Sequence, residues 1–469
     1  MGVRNQQINL GMMSYQSASL PWDAQRLVNL YPEIGAQGSE SRTNVTLLPR
    51  PGTVKISTVS GVCRGNYATD DALYSVFGGT LYKTDSAYTS TAIGSVNSTG
   101  AVYFADNGTQ LCVVTEPDAW IYTFSSGTFA AITDIDFLGS SGVTEISGYF
   151  VHARPGDSGE FYLSDTLNGL SYDALAFATA EMNTDKLLRP FSDHNELWLF
   201  GTRTIEIWSP SGSTDFPFVR ASNAGPERGL LAPDSVIKAD NTVCWVGSDG
   251  IVYQSSGYTP EPISTRPIEL KISQSSAPTG ITGRYSSQNG HQFYILTSII
   301  DGWTLVYDVT TKVWHERATY GYNWWQYLHP VSFNGKQIVG GYNGNLYTLE
   351  SATYSEDGGV IRYEATSPPV HANGARLSCS RLEVLMETGV GIATGQGSNP
   401  QAMLQWSDDG GRTWSNEHWK TIGSVGAYNT RVTWRNLGQF FSRVYKIAVT
   451  DPVKAVILGG YADVDITAT

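Results

Sequence analysis

One two-residue signature recurs seven times along this chain and constrains its fold more than any other feature. An aliphatic residue or Phe is followed by Tyr or Trp, just after a turn rich in Gly or polar residues. The instances are Leu81-Tyr82, Ile121-Tyr122, Phe161-Tyr162, Ile207-Trp208, Val252-Tyr253, Val306-Tyr307 and Leu346-Tyr347. From aromatic to aromatic the steps are 40, 40, 46, 45, 54 and 40 residues. A strand-like run precedes each dyad, as in ALYSVFGGTLY and TVCWVGSDGIVY, so each unit reads as strand, turn, strand. A period of roughly 40–50 residues, with two clear strands and room for two more, is the signature of propeller blades. The physical reason is burial: a four-stranded blade cannot cover both of its faces, so blades stack around an axis. The dyad aromatic is well placed to fill the space between neighbouring sheets. The spacing leaves the blade number at six or seven.

Composition agrees with an all-β chain. Of 469 residues, 41% are hydrophobic, only 16% are charged, and 49 are Gly. That mix suits many short strands joined by tight turns. The repeat spans residues 56–365, the expected propeller. Residues 1–55 read as an irregular N-terminal arm. Residues 366–469 alternate well (LSCSRLEVLMETGVG, YNTRVTWRNLG) and read as a C-terminal antiparallel β-sandwich-like domain. One stretch, Ala174–Arg189, is read as a helix ended by Pro190. The net charge of −13 disfavours a protein that grips duplex DNA, which needs a Lys/Arg excess to displace counterions. An acidic wall beside DNA suits a conduit through which DNA slides. Four dispersed cysteines (Cys63, Cys112, Cys244, Cys379) without a C-x-x-C pair predict free, mostly buried thiols and assembly in a reducing cytoplasm. No run approaches the roughly 18 apolar residues of a membrane span.

The motif search favours structure over catalysis. SDDGGRTW matches the Asp-box of sialidases and some lectins, with Ser407, Asp409, Gly411, Thr413 and Trp414 in the key positions. This box is a turn-stabilising hairpin: the side chains tie the backbone, Gly allows positive φ, and Trp packs beneath. A sialidase would carry one box per blade; here there is one, outside the repeat. A glycan-binding or sialidase-like propeller is nevertheless the alternative reading. HERAT (His315–Thr319) lacks the second His of a zincin helix, and the seven His show no metal-ligand spacing. GVGIATGQG lacks the Lys-[Ser/Thr] of a phosphate loop, and no G-x-S-x-G elbow is present. No catalytic residue, cofactor or metal site is expected. Two aromatic patches, YGYNWWQYLHPV and WSNEHWKT, read equally as protein–protein anchors or as buried core. Trp324, Trp325, Tyr327, Phe440 and Phe441 are the protein-contact candidates.

Several blocks carry a family resemblance. Glu196–Glu269 resembles the packaged-DNA-stabilisation proteins of short-tailed bacteriophages, also called tail hub or nozzle proteins. RLVNLYPEIG (Arg26–Gly35) with LLPRPGTVK (Leu47–Lys55) is similar to the opening of that family. Cys63–Lys83 resembles its first repeat, and Leu404–Val453 its C-terminal domain. One departure is RNLGQFFSRVYK, where Phe440-Phe441 stands in place of a more basic or polar turn. The resemblance implies a non-enzymatic virion protein of the tail, forming a homo-oligomeric ring, commonly of six, below the portal and its adaptor. It also implies ring or adaptor contacts through residues 1–55, and contacts with tail fibre, tailspike or needle proteins. Such a ring retains packaged DNA and guides its ejection, while DNA passes through without specific binding.

Overall fold

Every dyad lies in the third strand of a four-stranded antiparallel unit, counting outward from the axis. The computed structural model describes residues 4–35, 43–180, 185–213, 216–221 and 225–467. Six four-stranded sheets stand alone, and a seventh four-strand run, Thr282–Gln288 to Val313–Glu316, begins a larger eleven-stranded sheet. The seven units, taken as blades 1–7 in chain order, form the propeller. The innermost strand of blade 1, Cys63–Ala68, meets that of blade 7, Tyr327–Phe333, where Asn66 Nδ2 donates to the His329 carbonyl at 2.8 Å. Blade 7 supplies only three of its own strands. Its outer strand, Gly52–Ser57, comes from before blade 1 and pairs antiparallel with Leu346–Glu350. That pairing ties the two ends of the wheel together.

The apolar core explains why the signature is a pair. Successive residues of a strand point to opposite faces, so one dyad serves two seams. Tyr122 packs in the seam between blades 1 and 2, while Ile121 packs between blades 2 and 3. Phe161, Val252 and Leu346 likewise face the following blade, and Tyr162, Tyr253 and Tyr347 the preceding one. All seven dyads obey this rule, so the Tyr or Trp always plugs the seam behind and the residue before it the seam ahead. Each seam holds one apolar cluster, and an eighth cluster is the core of the second domain.

The second domain is a β-sandwich whose strands come from both flanks of the propeller. One sheet runs Val432–Arg435, Leu377–Met386, Ile457–Ile466, Val45–Pro49 and Leu30–Ile34, with Arg4–Ile8 also on Ile457–Ile466. The other contains Ala24–Val28, Tyr363–Thr366, Ser442–Val449, Gln401–Ser407 and His418–Thr421. This second sheet is continuous with blade 6, because Ala24–Val28 lies beside Val313–Glu316, with Val28 paired in parallel to Glu316. The N-terminal stretch read as an irregular arm is therefore mostly strand among its described residues. It contributes to the sandwich, to the junction and to the closing strand. Its short runs look irregular because their partners lie hundreds of residues away.

The expected helix over Ala174–Arg189 is absent from the described part of that stretch. Asn168–Thr179 is the outer strand of blade 3, and Leu187–Asp193 is the innermost strand of blade 4; residues 181–184 lie outside the described residues. Pro190 is tolerated because an innermost strand pairs on one side only, leaving the missing N–H without a partner to lose. The one α-helix among the described residues is Arg266–Ser273, between blades 5 and 6. It has Pro in its first turn, and Ile268 and Ile272 are buried on one face.

Candidate functional site

The wheel's axis opens into a cavity of about 850 Å³ lined by inner strands and loops of blades 1, 2, 4, 5, 6 and 7. Arg64 and Lys186 line it, and Arg284 and Arg189 contact the lining residues Asp234, His329 and Tyr103. Arg64 donates to the carbonyls of Gly78 (2.7 Å) and Gly100 (2.8 and 3.0 Å) and to those of Asn97 and Thr99. Arg284 holds Asp234 through two nitrogens at 2.9 and 2.6 Å, and its Nε donates to His329 Nδ1 at 2.8 Å. Burial, followed by the charges of Arg284 and Arg64, pushes His329 well below its ordinary pKa, so the ring accepts as a neutral imidazole. Arg189 lies 3.7 Å over the Tyr103 ring. Cations committed to carbonyls, an acid or an aromatic face offer little to a passing phosphate.

A second concentration of polar groups welds the propeller to the sandwich. Asn29, in the left-handed region at φ 59°, donates to the carbonyls of Ala318 and Arg362 at 2.9 Å each. Its Oδ1 accepts from Arg50 Nε at 2.7 Å and from the Ala318 amide at 3.0 Å. Arg50, buried, also pairs with the buried Glu356. Nearby, Arg26 forks onto Glu316 at 2.9–3.1 Å. Burial opposes ionisation of Glu316, but Arg26, Lys271 and hydrogen bonds outweigh it and hold the carboxyl down to about 2. Arg317 sits between the Phe293 and Trp325 rings, 4.9 Å from each centroid. Burial, with Arg50 adding repulsion, lowers Arg317 to about 9, and burial takes His315 down to about 3. His315 is therefore a neutral strand residue facing the seam between blades 6 and 7. Sequence reading missed Asn29 and Arg50. Their only local signal was the short LVNLYP and LLPRPG blocks.

The Asp-box residues form one self-contained turn. Ser407 Oγ donates to Asp409 Oδ1 at 2.6 Å and accepts from the Gly411 amide at 2.7 Å. Asp409 also accepts from the amides of Arg412 (3.0 Å) and Thr413 (2.9 and 3.1 Å) and from Thr413 Oγ1 (2.6 Å). Gly410 and Gly411 have φ of +77° and +95°, which a side chain would oppose. The Trp414 ring lies 3.8 Å beneath Lys446 Nζ. These bonds, first from Ser407 and then from Thr413, hold the Asp409 carboxyl well below its usual range. The polar groups of Ser407, Asp409 and Thr413 all bond within the turn.

The contact candidates separate by burial. Trp324, Trp325 and Phe440 are 8%, 1% and 4% exposed, so the expectation that they form a contact surface does not suit this structure. Trp325 belongs to the seam between blades 6 and 7, Trp324 packs edge-on against Tyr342, and Phe440 lies in the sandwich core under Arg443. Tyr327 is half-buried against Tyr347. Phe441 is 52% exposed, beneath Arg376 at 5.0 Å. Among the described residues no group of three or more His, Cys, Asp or Glu could hold a metal ion, and no helix is long and apolar enough to cross a membrane.

Comparison with known families fits this two-part architecture. A family model described as bacteriophage P22 Gp10, beta-propeller, matches residues 6–354, and its companion, the P22 Gp10 beta-sandwich, matches 362–465. The chain belongs to the bacteriophage P22 Gp10 family. Gp10-family chains are structural proteins of the phage tail, of the tail nozzle and DNA-stabilisation class. No curated protein sequence gives a significant match. Among solved structures, the computationally designed Ika8 protein is 12% identical at a TM-score of 0.41, covering 64% of this chain and 99% of its own. BamB from Moraxella catarrhalis is 12% identical at 0.39, covering 63% and 97%. PorZ of Porphyromonas gingivalis is 12% identical at 0.39, covering 71% of this chain, which spans 44% of PorZ. Scores this low say nothing about function.

Proposed function

We propose that this Gp10-family protein is a non-enzymatic hub or nozzle subunit that forms a ring, commonly of six, beneath the portal and adaptor. The ring closes the DNA channel, retains packaged DNA and guides its ejection, and it offers attachment to fibre, spike or needle proteins. The observation that carries this reading is the match of both domains to one tail-protein family. The axial chemistry supports it: Arg64 and Arg284 are committed to carbonyls and to Asp234, and the surrounding chain is acidic, so DNA can slide without being held. The buried free thiols Cys63, Cys112, Cys244 and Cys379 suit assembly in a reducing host cytoplasm.

The test is DNA retention. Particles assembled without this subunit should package DNA and then lose it to added nuclease, and purified subunit should restore protection. Equal protection with and without the subunit would refute the retention role. Saturable turnover of a fluorogenic glycoside by the purified protein would overturn the non-enzymatic reading.

A further inference from the structure

The chain's charge is divided by domain. Residues 56–361 hold 31 of the 43 acidic and 15 of the 30 basic side chains, a formal charge of −16; the remainder of the chain carries +3. Two propellers placed side by side in a ring would bring like charges together, which disfavours that contact. A propeller set against a neighbour's sandwich avoids the repulsion. Head-to-tail contacts of this kind, with two different patches meeting, are what generate closed rings.

Each domain carries an exposed apolar patch of the matching charge. On the propeller, the loop bearing Asp134 and Asp136 folds over the outer strand of blade 3, where the Tyr172 amide donates to Asp134 Oδ2 at 3.3 Å and Phe137 packs on Tyr172 at 5.4 Å. Ile135 there is 92% exposed, and Leu175 and Phe177, which follow the exposed Asp173 on the adjoining strand, are 78% and 47% exposed. The strand is twelve residues long and is an open sheet edge among the described residues. A long apolar edge of this kind invites a partner. On the sandwich, Leu377 pairs with Phe440 on one side and Ile466 on the other. Leu377, Phe440 and Ile466 therefore share the core-side face, and the exposed Phe441 lies on the outer face beneath the exposed Arg376, with exposed Arg435 further along that face and Asp465, paired with Ser378, between them.

We infer that the occupant of the acidic patch is a second copy of this chain, which presents its Arg376–Arg435 sandwich patch head to tail. The inference rests on the ring reading and names the surface that builds the ring. It is tested by light scattering and native mass measurement of the purified full chain across a concentration series. Asp136→Lys/Asp173→Lys spares Asp134, which braces the loop, and should raise the concentration needed for assembly about tenfold or more. Arg376→Glu/Arg435→Glu should do the same, and the four changes combined should restore assembly towards wild type. Circular dichroism identical to wild type shows that each variant folds. Assembly unaffected by either reversal, or a combined variant no better than the separate ones, overturns the contact while leaving the ring intact. A wild-type chain that stays monomeric throughout the series, also with portal and adaptor present, overturns the ring reading and this contact with it.

Discussion

The seam that closes the wheel offers a sharp mechanical test. Gly340, in blade 7, faces Cys63 in blade 1, and a methyl group at Gly340 would lie 2.1 Å from Cys63 Sγ and 2.4 Å from its Cβ. Both distances are far inside van der Waals contact, and Cys63 is buried in the apolar cluster of that seam. Gly340→Ala should therefore cost at the upper end of overpacking penalties, about 3 kcal/mol. For 469 residues, an unfolding entropy of about 2.1 cal/mol/K per residue totals about 1 kcal/mol/K, so a cooperative melt should fall by about 3 °C. Cys63→Gly removes the obstacle and itself weakens the seam. Gly340→Ala/Cys63→Gly moves the bulk from one strand to the other, so the second change should cost little once the first is made. Urea titration of the four proteins completes the cycle, with an expected coupling of about 2 kcal/mol in favour of the double variant. A coupling near zero, with Gly340→Ala equally damaging in both backgrounds, would show that blades 7 and 1 do not meet as described.

Other outcomes are open to measurement. Arg50→Met leaves Glu356 buried beside a lost partner and should cost about 3–5 kcal/mol by denaturant titration, whereas Arg50→Met/Glu356→Leu should recover most of it. Glu316 is depressed from 4.5 to about 2, so its stabilisation is present above pH 4.5 and fades as pH falls towards 2. Thermal melts across that window should show wild type losing about 3 kcal/mol relative to Glu316→Gln; parallel curves would contradict the Arg26 pairing. Asp409→Ala unties the turn at residues 410–413 and should hasten protease cleavage there without changing the melting curve of the propeller. Burial raises Cys63 and Cys244 to about 12, so a thiol reagent should label the native chain slowly and all four cysteines once it unfolds.

The propeller was legible because its defining pattern is local. Each dyad sits within a few residues of the turn that precedes it, so the seven repeats, their spacing and their role between sheets can be read from the chain. The second role of each dyad, with the aliphatic partner facing the next seam, needs only strand alternation once the blades are placed. Long-range pairing was not legible. The runs containing Ala24–Val28 and Gly52–Ser57 are ordinary short segments until Val313–Glu316 and Leu346–Glu350 lie beside them. The Ala174–Arg189 stretch is rich in helix-forming residues, but the Leu175/Phe177 alternation and an edge position for Pro190 made it strand. Trp324 and Trp325 illustrate a chemical limit: the same indole anchors a partner or fills a seam, and only burial distinguishes the two. Phe441 was separable from Phe440 only when the sheet face of each was known.

The outer strand that completes blade 7 emerges from the ribosome before blade 1 does, yet it has nothing to pair with until Leu346–Glu350 has been made. Roughly three hundred intervening residues must be translated while both mating edges stay open, a loop whose closure entropy grows slowly with length but whose exposed edges invite wrong partners throughout. Translation arrested before blade 7 would leave a crescent and no wheel, so every copy entering a tail has had its full circumference synthesised before it can lock.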